Sequence, residues 1–113
     1  EEAKLIYKAD YWDEIKGDYL PEGLSLMIFD MAVNAGISRA VKLLQNVLGV
    51  TSDGILGPKT FRAIVGRDVN ELIYAYAIER IDYYSKLSTF KTFGKGWIRR
   101  VISTLKESLR KEG

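Results

Sequence analysis

The stretch IFDMAVNAG, residues 28–36, decides how this chain folds. With Leu24, Leu26 and Met27 ahead of it, it forms the most apolar run in the sequence, and the run does not alternate with period two as a half-buried strand would. Pro21 suits the first position of a helix, where its missing N–H costs nothing. Gly36 is placed for a left-handed C-terminal cap. The reading is a helix over 21–34, apolar on nearly every side and therefore central. In its middle stand Asp30 and Asn34, one helical turn apart, and a carboxylate in such surroundings is expensive unless it is paired.

Working outward, the same punctuation marks about six helices with short connections. Residues 2–9 carry a helical period through Ala3, Ile6 and Tyr7, and Gly17-Asp18 marks a loop. Ser38 is a candidate N-cap for a helix over 38–48, whose stripe is Val41, Leu44, Val47 and Leu48. GVTSDGILGPKT, residues 49–60, is a glycine-punctuated loop that restarts a helix at Pro58. DVNE, residues 68–71, reads as a capping box opening a helix over 68–87. That helix repeats Val69, Leu72, Ile73, Tyr76 and Ala77, and a second line of Tyr74, Ile78 and Ile81 is expected to widen its buried face. Gly94 and Gly96 are expected to break the chain before a last helix with Ile98, Val101, Ile102, Leu105 and Leu109 on one side. The fold class is all-α, one domain over residues 1–113.

A length of 113 residues is enough for a single unstapled core. The chain has neither Cys nor His, which excludes disulfides, thiol nucleophiles, a serine–histidine dyad and the common zinc sites. Acid–base chemistry would have to come from Asp, Glu, Lys or Tyr, and no metal or cofactor is expected. No apolar run reaches the length of a membrane span. Residues 1–60 hold 6 Lys/Arg against 9 Asp/Glu, and residues 61–113 hold 11 against 6. The cations of the second half alternate with Asp and Glu and lack interleaved aromatics, so a solvated helical surface is expected rather than a nucleic-acid or membrane face. The sequence opens at Glu1 without an initiator Met, which suggests a fragment or processed form.

Three stretches carry more than fold. In residues 43–64, LLQNVLGVTSDGILGPKTFRAI, Leu44-Gln45, Leu48-Gly49-Val50, Asp53-Gly54, Gly57-Pro58 and Thr60 stand in the spacing LQ..LGV..DG..GP.T. Read physically, the glycines serve geometry and Gln45 bonds the loop. The pattern resembles the peptidoglycan-binding motif found in several small helical domains that dock on bacterial cell walls. Together with YW…LP.GLSLMIFDMAVNAG, residues 11–36, and TFGKGWIRRV, residues 92–101, it resembles glycoside hydrolase family 108. These are bacterial and phage N-acetylmuramidases, including proteins labelled secretion activators, with a predicted peptidoglycan-binding domain at the C-terminal end.

The resemblance implies a lysozyme-like helical fold, with residues 1–36 ending the muramidase-like region and 37–113 forming the peptidoglycan-binding-like region. It implies peptidoglycan glycan strands as the partner, and the cell envelope, periplasm or exterior as the place of action. The family's general acid is a Glu in an EGGY-like segment upstream of every motif quoted, so no catalytic residue carries over, and no muramidase activity is expected of this chain by itself. Two further readings stand beside that one: an independent wall-binding module, and an interaction domain that keeps only the fold.

The candidate substrate-binding residues are Tyr11, Trp12, Asp30, Asn34 and Trp97. Saccharide sites set flat aromatic rings against sugar faces and amides or carboxylates against hydroxyls. Tyr11, Trp12 and Trp97 lie in loops or at helix ends, whereas Tyr74, Tyr76, Tyr83 and Tyr84 sit at core spacing. Asp30 admits two roles. Apolar surroundings could raise its pKa towards that of a general acid. Alternatively, it and Asn34 form a hydrogen-bonded seam that organises neighbouring loops or touches sugar.

Overall fold

The computed structural model describes residues 20–112; the helix expected over 2–9 and the candidates Tyr11 and Trp12 lie outside the described residues. Five helices appear among them and no strand: α1 (Glu22–Ala35), α2 (Ile37–Leu48), α3 (Pro58–Ile64), α4 (Val69–Ser85) and α5 (Phe90–Glu112). The all-α class and four of the expected helices are thus observed, with their ends shifted by no more than two residues.

Helix α1 is the axis of the fold. Leu24, Met27, Ile28, Met31 and Ala32 have no exposed surface, because α2, α4 and α5 pack around three of its sides. The core continues through Val41 and Leu44 of α2, Ile73, Tyr76 and Tyr84 of α4, and Val101 of α5. Each large apolar side chain removed from water here contributes on the order of 1.5–3 kcal/mol. Tyr76 is wholly buried, and its hydroxyl donates to the Ala40 carbonyl at 2.8 Å, so the ring's polar tip is satisfied. Helix α3 stands apart, packing chiefly on α2.

Several helix ends depart from expectation. Pro21 is the residue before α1 rather than its first member. Gly36 has φ 98° and ψ 153°, a conformation essentially reserved for glycine but not the left-handed cap expected of it. Its N–H donates to Ala32 and its carbonyl accepts from Ala40, so one residue ends α1 and starts α2. Ser38 lies inside α2, because Gly36 already occupies the N-cap position. Asp68 caps α4 as expected, accepting from the Glu71 N–H at 3.1 Å.

Two larger corrections concern α4 and α5. Gly94 and Gly96 do not break the chain; α5 runs through both. A Cβ on Gly94 would lie 2.6 Å from the Phe90 ring one turn back, so this glycine lets that ring fold down over the helix. Gly96, by contrast, has open space where a Cβ would point. The expected second apolar line on α4 is mostly outside: Tyr74 is 51% and Ile78 60% exposed, and only Ile81 packs against the core. On α5, Ile102 is likewise exposed, while Val101, Leu105 and Leu109 face inward.

Candidate functional site

The polar seam of α1 is a clasp between three helices. Arg80 sits on the buried stripe of α4 defined by Leu72, Ile73, Tyr76, Ala77 and Tyr84, and it is wholly buried. A guanidinium there needs an anion. Asp30 supplies it: Arg80 Nη2 donates to Asp30 Oδ2 at 2.9 Å. From α5, Arg100 reaches the same carboxylate with Nη2 at 2.7 Å and Nε at 3.0 Å from Oδ1. The Thr104 hydroxyl, one turn further along α5, lies 3.3 Å from Oδ2.

The seam then runs on through Tyr84. Arg80 Nη2 donates to the Tyr84 hydroxyl at 3.2 Å, and that hydroxyl donates to Asn34 Oδ1 at 2.9 Å. Asp30 and Asn34 are therefore linked through two side chains of α4, and the elements they tie are helices rather than the neighbouring loops that were expected. Asn34 is otherwise exposed. Trp97 is half-buried and stacks on Tyr84, with centroids 5.0 Å apart and planes inclined by 24°. It closes the apolar side of the seam.

This geometry reverses the acid reading of Asp30. Burial pushes its carboxyl up, but the hydrogen bond from Arg100 and the charges of both arginines outweigh that, and the pKa falls below the ordinary carboxylate value. A carboxyl held ionised is unsuited to donating a proton near neutral pH.

A second feature lies on the far side of α2. Gln45, 1% exposed, stitches the 49–60 loop from within. Its Nε2 donates to Asp53 Oδ1 and the Ile55 carbonyl, both at 2.9 Å, and approaches Thr60 Oγ1 at 3.2 Å. Its Oε1 accepts from the Gly54 N–H at 2.9 Å. The Gln45 main chain is engaged as well. Gly49, at φ 74°, donates to Asn46 and Val50 donates to Gln45, the paired bonds of a Schellman ending to α2. Asp53 accepts from the Ile55 N–H at 2.9 Å, and this bond, with that from Gln45, lowers its pKa.

So held, the loop and α3 enclose an open groove of about 920 Å³. Its walls include Val50, Thr51, Ile55, Pro58, Lys59 and Arg62. Ile55 is 68% exposed. Among the described residues no cluster of three or more carboxylates is placed to hold a metal, and no helix is long and apolar enough to cross a membrane.

Of the sequence-derived candidates, Asp30, Asn34 and Trp97 come together in the seam. Their partners Arg80, Arg100 and Thr104 went unrecognised in the sequence. Arg80 had a usable signal: the 3–4 spacing from Tyr76 and Tyr84 sets it on the buried stripe, and a buried arginine calls for a carboxylate. Arg100 had none, standing among the cations of an outer helix. The groove residues Ile55, Lys59 and Arg62 also went unrecognised, since exposure of an apolar loop residue has no signature in one sequence.

Comparison with known proteins relates the chain to a family. Residues 39–102, which hold both the groove and Arg80, match the family model described as a predicted peptidoglycan domain. Residues 1–36 match the model of glycosyl hydrolase 108. SagA of Brucella abortus is a similar solved structure, with 38% identity and a TM-score of 0.92 over 96% of this chain. The chain spans 63% of the length of that SagA structure. No curated protein matches. With more than half its length matched, the chain belongs to the family of the predicted peptidoglycan domain, joined to sequence of the glycosyl hydrolase 108 family.

Proposed function

We propose that this chain recognises peptidoglycan as the C-terminal lobe of a lysozyme-like muramidase, acting at the cell wall in the envelope or outside the cell. The observation that carries the reading is the open groove at α3, which lies wholly inside the segment matching the predicted peptidoglycan domain. Its shape is set by a buried amide rather than by a mobile loop, so the binding surface is organised before the ligand arrives. The lobe's task is to hold the wall. Asp30, paired with two arginines, is assigned to holding the lobe together and not to cleaving glycan. The division at residues 36–37 between a muramidase-like part and a wall-binding part belongs to this proposal too.

Co-sedimentation with purified insoluble peptidoglycan tests the reading. The chain is expected in the pellet, and its retention in the supernatant at all wall concentrations would refute it. Replacing Tyr11 and Trp12 by Ala tests whether the segment ahead of α1 adds to that binding; an unchanged pellet fraction would remove both from the site.

A further inference from the structure

The groove has an unusual lining for a sugar site. Among the described residues its lining has no aromatic side chain, whereas flat rings are the common means of holding a sugar face. It offers instead exposed aliphatic surface at Ile55 and Pro58, the Thr51 hydroxyl, and the charges of Lys59 and Arg62. Lys59 and Arg62 are three residues apart on α3 and so share a face of that short helix. Asp53 is the anion of the described lining, and because its side chain is exposed its charge offsets one of the two cations. One oxygen accepts from Gln45 and from the Ile55 N–H. Among the described residues neither Lys59 nor Arg62 forms an ion pair within 4.0 Å, although the Asp53 charge lies near Lys59. The groove therefore carries a net positive charge over an aliphatic floor.

Peptidoglycan presents two chemistries: a glycan strand that is neutral along its sugar faces, and short peptides that bear carboxylates and small aliphatic side chains. We infer that the α3 groove binds the carboxylate-bearing peptide portion of peptidoglycan, with Lys59 and Arg62 facing the carboxylates and Ile55 and Pro58 beneath the aliphatic side chains. This inference rests on the proposed wall recognition and makes it specific. Both cations are solvent-exposed, so the attraction falls as ionic strength rises.

The test uses the full chain and three solid phases: intact peptidoglycan, the glycan strands stripped of peptides by an amidase, immobilised and with the lactyl carboxylates so exposed converted to amides, and wall whose peptide carboxylates have been converted to amides. Binding to the intact wall is expected to fall at least tenfold on stripping and on amidation, and to fall with added salt. The double variant Lys59→Gln/Arg62→Gln, both positions exposed, should keep the melting temperature and show the same loss on intact wall. Undiminished binding to the stripped wall, or to the amidated wall, overturns the inference while leaving wall recognition standing. So does a double variant that binds like the parent. No binding to any of the three phases overturns wall recognition, and the inference with it.

Discussion

Replacing Asp30 by Ala should unfold this domain more readily than any other single carboxylate change, and the size of the effect follows from who is left behind. Arg80 has no exposed surface, and Asp30 is its anionic partner. Without the carboxylate, Arg80 keeps the Tyr84 hydroxyl and a long contact of 3.7 Å to the Met27 sulfur. Breaking a buried pair in this one-sided way costs roughly 3–5 kcal/mol. The Asp30 side chain is 15% exposed, so some water can enter, and a cost of about 3 kcal/mol is the expectation. Arg100 makes more bonds to the same carboxylate but is half exposed. Arg100→Gln should therefore cost no more than about 1 kcal/mol. For a domain of this length, 3 kcal/mol corresponds to a fall in Tm of roughly 10–15 °C.

The pH dependence provides an independent check. The folded pKa of Asp30 lies below its unfolded value, so the unfolded chain takes up the proton first. Its contribution is complete above about pH 4 and is lost as pH falls through the lower folded value. Stabilities of the parent and Asp30→Ala, from urea titrations followed by far-UV circular dichroism between neutral pH and acid, should start to draw together as pH falls below about 4. A cost near that of Arg100→Gln, or stability profiles that stay parallel in acid, would refute the assignment of the clasp to Arg80's burial.

Gln45→Ala removes four loop contacts and should cost about 4 kcal/mol, taking near 1 kcal/mol per bond; the Gly54 amide, which donates to Gln45, should lose its protection in hydrogen exchange. Gly36→Ala meets no atom within 4 Å, so its whole cost is backbone strain, about 2–3 kcal/mol by denaturant titration. Gly49→Ala, in the milder left-handed region and equally free of contacts, should cost only about 1 kcal/mol. The two helical glycines should move Tm in opposite directions. Gly96→Ala has open space and gains helix propensity, up to about 1 kcal/mol. Gly94→Ala gains the same but drives Cβ into the Phe90 ring, and overpacking of about 1–3 kcal/mol should leave it net destabilised.

Periodicity made α1, α2 and α4 legible because their buried residues repeat at helical spacing, and turn chemistry located the α2–α3 loop. What periodicity could not report is which of two apolar lines another helix covers. Tyr74 and Ile78 look as hydrophobic as Leu72 and Ile73, yet they are exposed because α1, α2 and α5 all lie on the other side of α4. The glycines of α5 misled for a related reason. Gly disfavours a helix interior by about 1 kcal/mol, but packing of Trp97, Val101, Leu105 and Leu109 on the core outweighs two such penalties. At the seam, the cost of a lone buried carboxylate was enough to mark Asp30 as part of a hydrogen-bonded network. Its partners lie 50 and 70 residues away, a separation that no local pattern spans.

The clasp and the groove draw on different parts of the chain, and this separates stability from recognition. Asp30, Arg80, Arg100 and Thr104 join α1, α4 and α5 across long sequence distances, so their loss is felt by the whole fold. The bonds that shape the groove span only 8 to 15 residues, between α2 and the segment that follows it. Helix α3 touches little of the fold beyond α2. Changes at Lys59 and Arg62 should therefore alter wall binding at constant Tm. Asp30→Ala should lower Tm while leaving wall binding intact at temperatures where the variant is still folded. If Asp30→Ala weakens wall binding while circular dichroism shows a folded chain, the recognition surface extends to the seam. Asp30, Asn34 and Trp97 would then be contact residues rather than supports.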